Sequence, residues 1–133
     1  MEFGSLNNQD MINLTIIAIG GALGSLSRYY LSNTFLKNFV FFDIPFAILA
    51  INALGSLFFG FFMGLYTSNI IASDNLKVFV LTGFLAAFTT FSTFAWESIV
   101  LFQNEMYIKL VIYCIASIIL SISFCLLGYV LGK

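Results

Sequence analysis

The 133-residue chain is 61% hydrophobic and 8% charged, with a formal net charge of −1 and a mean hydropathy of +1.05. That balance excludes a soluble domain of this size, and no nucleic-acid partner is expected. Four long apolar runs separated by short polar punctuation, each near the ~20 residues that cross a hydrocarbon core as a helix, make this an all-α integral membrane protein embedded in a lipid bilayer.

The opening MEFGS reads as a cloning scar, so residues 1–10 are expected to form an N-terminal tail and residues 11–133 the four-span domain. The spans are predicted at roughly 11–31, 45–66, 77–102 and 109–132. The first is followed by Arg28 and Tyr30 rather than by a small-residue cleavage site, which argues against a cleaved leader. Its GGALGSLSRYY places Gly20 and Gly24 four residues apart, a spacing that lets two membrane helices approach closely.

In the second span, NALGSLFFGFFMG sets Asn52, Ser56, Gly60 and Gly64 at successive i, i+4 positions. The glycines read as packing residues. A side-chain amide in hydrocarbon needs partners or water, so Asn52 is a candidate functional residue.

The third span carries FTTFSTF at residues 88–94, with four hydroxyl residues among seven. Phe88, Phe91 and Phe94 recur every three residues and would share one helical face, with Thr89, Thr90, Ser92 and Thr93 crowding the turns between. β-Branched and hydroxyl residues weaken a helix by limiting rotamers and by offering the backbone competing bonds. Two readings follow: a local break of the helix, tolerated at membrane depth only where protein or a water-filled cavity receives the freed backbone, or a packing stripe with satisfied hydroxyls. Freed carbonyls are cation ligands, and phenylalanine ring edges carry partial positive charge that can face an anion.

The fourth span holds a row of five residues, Lys109, Tyr113, Ser117, Ser121 and Cys125, each four after the last. Such a row winds around the helix, beginning with a cation at the mouth and continuing with hydroxyl donors. That order suits an anion losing its water in stages; the alternative is that each serine bonds back to its own helix and Lys109 snorkels. Cys114 and Cys125 lie on one helix, about 16 Å apart, and cannot bridge each other.

Histidine is absent and no Cys, Asp and Glu cluster has metal-ligand spacing, which excludes a histidine- or thiolate-bound catalytic metal. No phosphate loop, nucleophile elbow or paired carboxylate speaks for an enzyme. With four spans, Lys77 and Lys133 lie on one side of the membrane, and Lys37 and Lys109, with Arg28 nearby, on the other. The bias that normally fixes orientation is nearly balanced. Either the chain inserts both ways round and opposed copies meet as an antiparallel dimer, or lipid and folding decide its orientation.

GFLAAFTTFSTFAWES resembles the third-span signature of the Fluc (CrcB) fluoride channels. GGALGSLSRY in the first span and NALGSLFFG in the second are similar to that family's other two motifs, and the likeness runs from about Met11 to the end of the chain. The resemblance implies four transmembrane helices with a broken third helix, an antiparallel dual-topology homodimer with two fluoride pores, and a place in the bacterial inner membrane. By position it makes Phe91 and Phe94 the ring edges that contact permeating fluoride, Asn52 the pore-lining asparagine, and Tyr113, Ser117 and Ser121 the polar track. It gives Arg28, with Lys109 at the mouth, a place as anion vestibule or structural anchor, and it has Glu97 buffering charge near a helix end. It also implies a sodium ion at the dimer centre, held by the backbone carbonyls of Ala86 and Thr89. Here the chain departs from the family, which commonly has glycine where Ala86 and Ala87 stand.

Transport is expected to be passive. A small four-span multidrug exporter would need a carboxylate deep in the first span, and MINLTIIAIGGALGSLSRYYL has none. A non-transporting membrane assembly subunit would suit the glycine rows but leave Asn52 and the polar track without a purpose.

Overall fold

The structure, a computed structural model, describes residues 7–37, 40–41, 44–71 and 73–133. Most of the tail expected at residues 1–10 lies outside these. Helix α1 runs Asn8–Tyr30 and starts earlier than expected, because Asn7 and Asp10 form a reciprocal capping box that satisfies the first backbone donors. A five-residue π-helical turn, Leu31–Phe35, extends it. A two-stranded hairpin, β1 (Val40–Phe41) with β2 (Ile44–Pro45), then leads into α2, Phe46–Thr67. The chain reverses at Asn69, whose φ of 56° suits asparagine's tolerance of the left-handed region.

The third span is assembled from consecutive pieces. Helix α3 (Asp74–Lys77), capped by the Ser73 hydroxyl, passes into an eight-residue π-helical stretch, Val78–Leu85, and then into α4 (Ala86–Phe88). Thr89 (φ −77°, ψ 158°) and Thr90 (φ −152°, ψ 126°) are extended, and α5 begins at Phe91 and runs to Gln103. Hydroxyl chemistry shapes this segment: Thr89 Oγ1 donates back to Leu85 O at 3.1 Å, while Thr90 Oγ1 accepts from the Thr93 N–H at 3.3 Å and caps α5. Phe88, Phe91 and Phe94 therefore do not share one face, as the three-residue spacing had predicted. Helical periodicity does not carry across two extended residues, so Phe88 is buried and stacks on Phe84 while Phe91 is 78% exposed. Helix α6, Tyr107–Leu131, completes the fold after a turn at Glu105.

Among the described residues, four helical stretches, Asn8–Phe35, Phe46–Thr67, Asp74–Gln103 and Tyr107–Leu131, are long and apolar enough to cross a membrane. Glycine sets how they pair. A Cβ at Gly60 would overlap the carbonyl of Cys125, one at Gly128 that of Leu57 and one at Gly132 that of Phe61, so α2 and α6 meet backbone to backbone. Gly20 and Gly24 do the same for α1 against the third span: a Cβ at Gly20 would lie 2.8 Å from Phe79 O, and one at Gly24 would strike Phe84 O. Two small cores fill the remaining space, Ile48, Ile51 and Phe88 in one and Leu49, Leu101 and Tyr113 in the other, with Phe94 packed against both. The outer face of α6 presents Ile108, Val111, Ile112, Ile115, Ile118 and Ile122, all at least half exposed, as a helix in hydrocarbon requires.

Candidate functional site

The extended threonines organise the polar interior. Asn52, half-buried on α2, donates from Nδ2 to Thr90 O at 3.0 Å and accepts from the Thr90 N–H at 2.8 Å. Thr90 Oγ1 lies 3.2 Å from both Ser92 Oγ and Thr93 Oγ1. An open groove of about 410 Å³ borders this point, lined by Asn52, Ser56, Ala86, Thr89, Thr90, Phe91 and Ser121. Of the site residues expected from sequence, the groove thus gathers Asn52, Phe91, Ser121, Ala86 and Thr89.

Phe94, Tyr113 and Ser117 sit behind it. The ring of Phe94 lies 5.4 Å from that of Phe91 and 5.2 Å from that of Tyr113, a tilted series that steps from the exposed groove into the core. Tyr113 is fully buried and donates its hydroxyl hydrogen to Glu97 Oε2. One turn along α6, Ser117 is 8% exposed, and its hydroxyl has no hydrogen-bond partner in the described structure.

A second cavity, about 440 Å³, opens at the C-terminal end of α1 and the N-terminal end of α2. Arg28, Ser25, Asn33, Lys37, Thr93 and Glu97 are among its lining residues. The Nε of Arg28 is buried and without a partner among the described residues, leaving a cationic donor at the cavity wall. The two cavities come close at one place: Thr90 lines the groove, Thr93 lines the second cavity, and their hydroxyls are 3.2 Å apart. Lys109 lies half-buried in the first turn of α6 and lines neither cavity.

Two expectations change. Glu97 stands in the middle of α5, six residues after Phe91, rather than near a helix end, and there it lines a cavity and accepts from Tyr113. The row on α6 is not uniform either. Tyr113 and Ser117 face the core and Ser121 the groove, while Cys125 meets Gly60 of α2 through its backbone carbonyl. Overshoot of roughly 40° per four residues carries the row around the helix. Sequence reasoning missed Thr90, although a threonine directly before a helical run is an N-cap signal, and it missed Gly55, whose Cβ position the methyl of Thr89 would overlap.

Four apolar spans, a hydroxyl-rich groove beside the extended Thr89 and Thr90, and a buried hydroxyl left open define a multi-pass helical membrane protein with a polar interior suited to a small ion. The CrcB-like protein (Camphor Resistance, CrcB) family model matches residues 15–129, and the chain belongs to that family. It is 40% identical over 125 residues to the fluoride-specific ion channel FluC of Ruminiclostridium cellulolyticum, covering 94% of this chain and 92% of the relative. It is similar too to FluC 1 of Halalkalibacterium halodurans, 40% over 121 residues (89% and 95% of the two chains), and to FluC of Campylobacter fetus, 38% over 117 residues (88% and 91%).

Proposed function

We propose that this chain is a fluoride-selective channel that lets fluoride leave the cytoplasm passively across the bacterial inner membrane. The observation that carries the reading is the Phe91–Phe94–Tyr113 series beside the Ser117 hydroxyl, in a chain whose relatives are named fluoride-specific channels.

The chemistry follows from hydration. Fluoride is small and holds its water tightly, so a pore must replace that shell with close donors and still release the ion. Arg28 and Lys109 raise the local anion concentration at the mouths without standing deep in the pathway, where a fixed cation would trap the ion. Phe91 and Phe94 offer ring edges, and Tyr113, Ser117 and Ser121 with Asn52 offer neutral donors. Ser117 suits this role because its hydrogen is not committed elsewhere.

The working unit of this proposal is an antiparallel dual-topology homodimer with two pores. Its support is the near balance of the five basic residues between the two sides and a large phenylalanine, Phe91, standing exposed at an open groove. The structural sodium of the family belongs to the same proposal. The groove fits it: Ala86 and Thr89 both line the opening, and the extended Thr89 ends α4 where helical carbonyls lose their intrahelical donors. Alanine in place of glycine is no obstacle, because Ala86 has φ −64° and ψ −32°, a right-handed conformation open to any residue. One chain offers two such carbonyls, so a second copy completes the ligand set. When bound, the ion would join the two third spans and add positive charge between the pores.

The test is fluoride resistance. A bacterium made fluoride-sensitive by loss of its own exporter should regain growth when it expresses this chain. Phe94→Ile at an equal membrane level should not restore it. Equal rescue by the variant would remove the aromatic series from the mechanism.

A further inference from the structure

We propose that Asn52 and Gly55 are positioning residues, forming a clasp on α2 that fixes the extended Thr89–Thr90 segment and so the aim of α5; this rests on the channel reading for its functional consequence. Thr90 has φ −152° and ψ 126°, the conformation of a β-strand residue, whose N–H and C=O point to the same side. In a sheet a neighbouring strand would pair both groups. Inside a membrane span no strand is at hand, and an unmet backbone group in hydrocarbon is strongly disfavoured. The Asn52 side chain takes the strand's place: Oδ1 accepts from the Thr90 N–H at 2.8 Å and Nδ2 donates to the Thr90 carbonyl at 3.0 Å. An amide carries an acceptor and a donor side by side, so one side chain answers both groups.

Gly55 supplies the other half. It lies three residues after Asn52 and so on the same face of α2. A Cβ there would overlap Thr89 Cγ2 and lie 3.2 Å from Phe88 Cδ1, so the missing side chain is the notch that receives the threonine methyl. Thr89 is turned into that notch by its own hydroxyl, which bonds back to Leu85 O at 3.1 Å. Both extended residues are therefore gripped by one turn of α2, and α5, which starts at the next residue, inherits its direction from them. Phe91, Thr93 and Phe94 all lie in the first turn of α5, so a shift at Thr90 moves all three. Asn52 thus acts chiefly through Thr90. One amide hydrogen remains for anything in the groove.

The test compares Asn52→Ala, Asn52→Asp and Gly55→Ala in the reconstituted full chain, using amide hydrogen exchange resolved at Thr90 and fluoride efflux in parallel. Loss of a buried backbone partner should speed Thr90 exchange by about tenfold or more in Asn52→Ala, with α2 and α6 amides unchanged. Gly55→Ala should do the same with the amide still present, which covers the case in which Asn52→Ala does not fold. Asn52→Asp keeps an acceptor for the Thr90 N–H but loses the donor to the Thr90 carbonyl, so it should recover part of the protection at Thr90. Efflux is read on Gly55→Ala, which keeps the amide and adds no charge, and it should fall together with Thr90 protection. Unchanged Thr90 exchange in Asn52→Ala, or wild-type efflux in Gly55→Ala despite faster Thr90 exchange, would overturn the clasp. The exchange result holds whether or not fluoride moves: if the wild-type chain passes no fluoride, the channel reading falls and Thr90 protection alone decides the clasp.

Discussion

Replacing Ser117 by alanine should raise stability and lower transport together, an unusual pairing that follows from one atom. Ser117 is 8% exposed, and its hydroxyl is buried with no hydrogen-bond partner among the described residues. A buried hydroxyl left without a partner costs about 1–3 kcal/mol, so a methyl in its place should stabilise the fold by roughly 1 kcal/mol once lost packing is allowed for. If the hydroxyl meets fluoride in transit, the same change removes a donor where the ion has shed its water. The loss of one such donor, on the order of 1–2 kcal/mol at the barrier, slows efflux by roughly tenfold. The assays are thermal unfolding in detergent and fluoride efflux from liposomes, wild type beside Ser117→Ala. A variant that melts lower would mean that Ser117 has a partner, and a stabilised variant with unchanged efflux would take Ser117 off the pathway.

Four further outcomes are expected. Gly128→Ala should weaken α2–α6 pairing by about 1–3 kcal/mol through overlap with Leu57 O, and its unfolding midpoint should fall, whereas Gly21→Ala, which meets nothing within 4 Å inside α1, should leave the midpoint unchanged or raise it. Thr90→Val removes the cap on α5 and should cost about 1 kcal/mol of stability with reduced fluoride efflux; an unchanged melting curve would contradict the capping role. Tyr113→Phe deletes the hydroxyl that donates to Glu97 and should lower efflux, while Trp96→Ala on the exposed side of α5 should leave it close to wild type. If the chain inserts both ways round, single cysteines replacing Lys37 and Lys133, in a background with Cys114 and Cys125 replaced by serine, should each be labelled from outside in roughly half of the copies; all-or-none labelling would show one orientation.

Much of this architecture is written in the chain at the level of residues. Apolar run lengths give the spans, since a helix in hydrocarbon has few other ways to satisfy its backbone, and the glycine pairs Gly20–Gly24 and Gly60–Gly64 point to close helix contacts that the structure places against Phe84 and Cys125. The hydroxyl-dense heptad marks the place where Thr89 and Thr90 are extended. What the sequence hides is geometry across the interruption. A three-residue spacing presumes one helix, so it set Phe88 beside Phe91, whereas two extended residues send one ring into the core and the other to the groove. Asn52 was legible as a residue in need of partners, but not as one whose partner is the backbone of Thr90, 38 residues away. Glu97 was similarly opaque, because its role depends on Tyr113 of α6 and on the turn between them. The π-helical stretch Val78–Leu85 is all but uniformly apolar, so its wider turn leaves no contrast between faces to read in the sequence.

The most direct test of the central claim is ion efflux from liposomes that contain the purified chain, loaded with fluoride in one set and chloride in the other. Fast fluoride release with chloride retained is the expected result, and its loss in Phe94→Ile would tie selectivity to the aromatic series beside Tyr113. Equal release of both anions, or of neither, would contradict a fluoride-selective pathway.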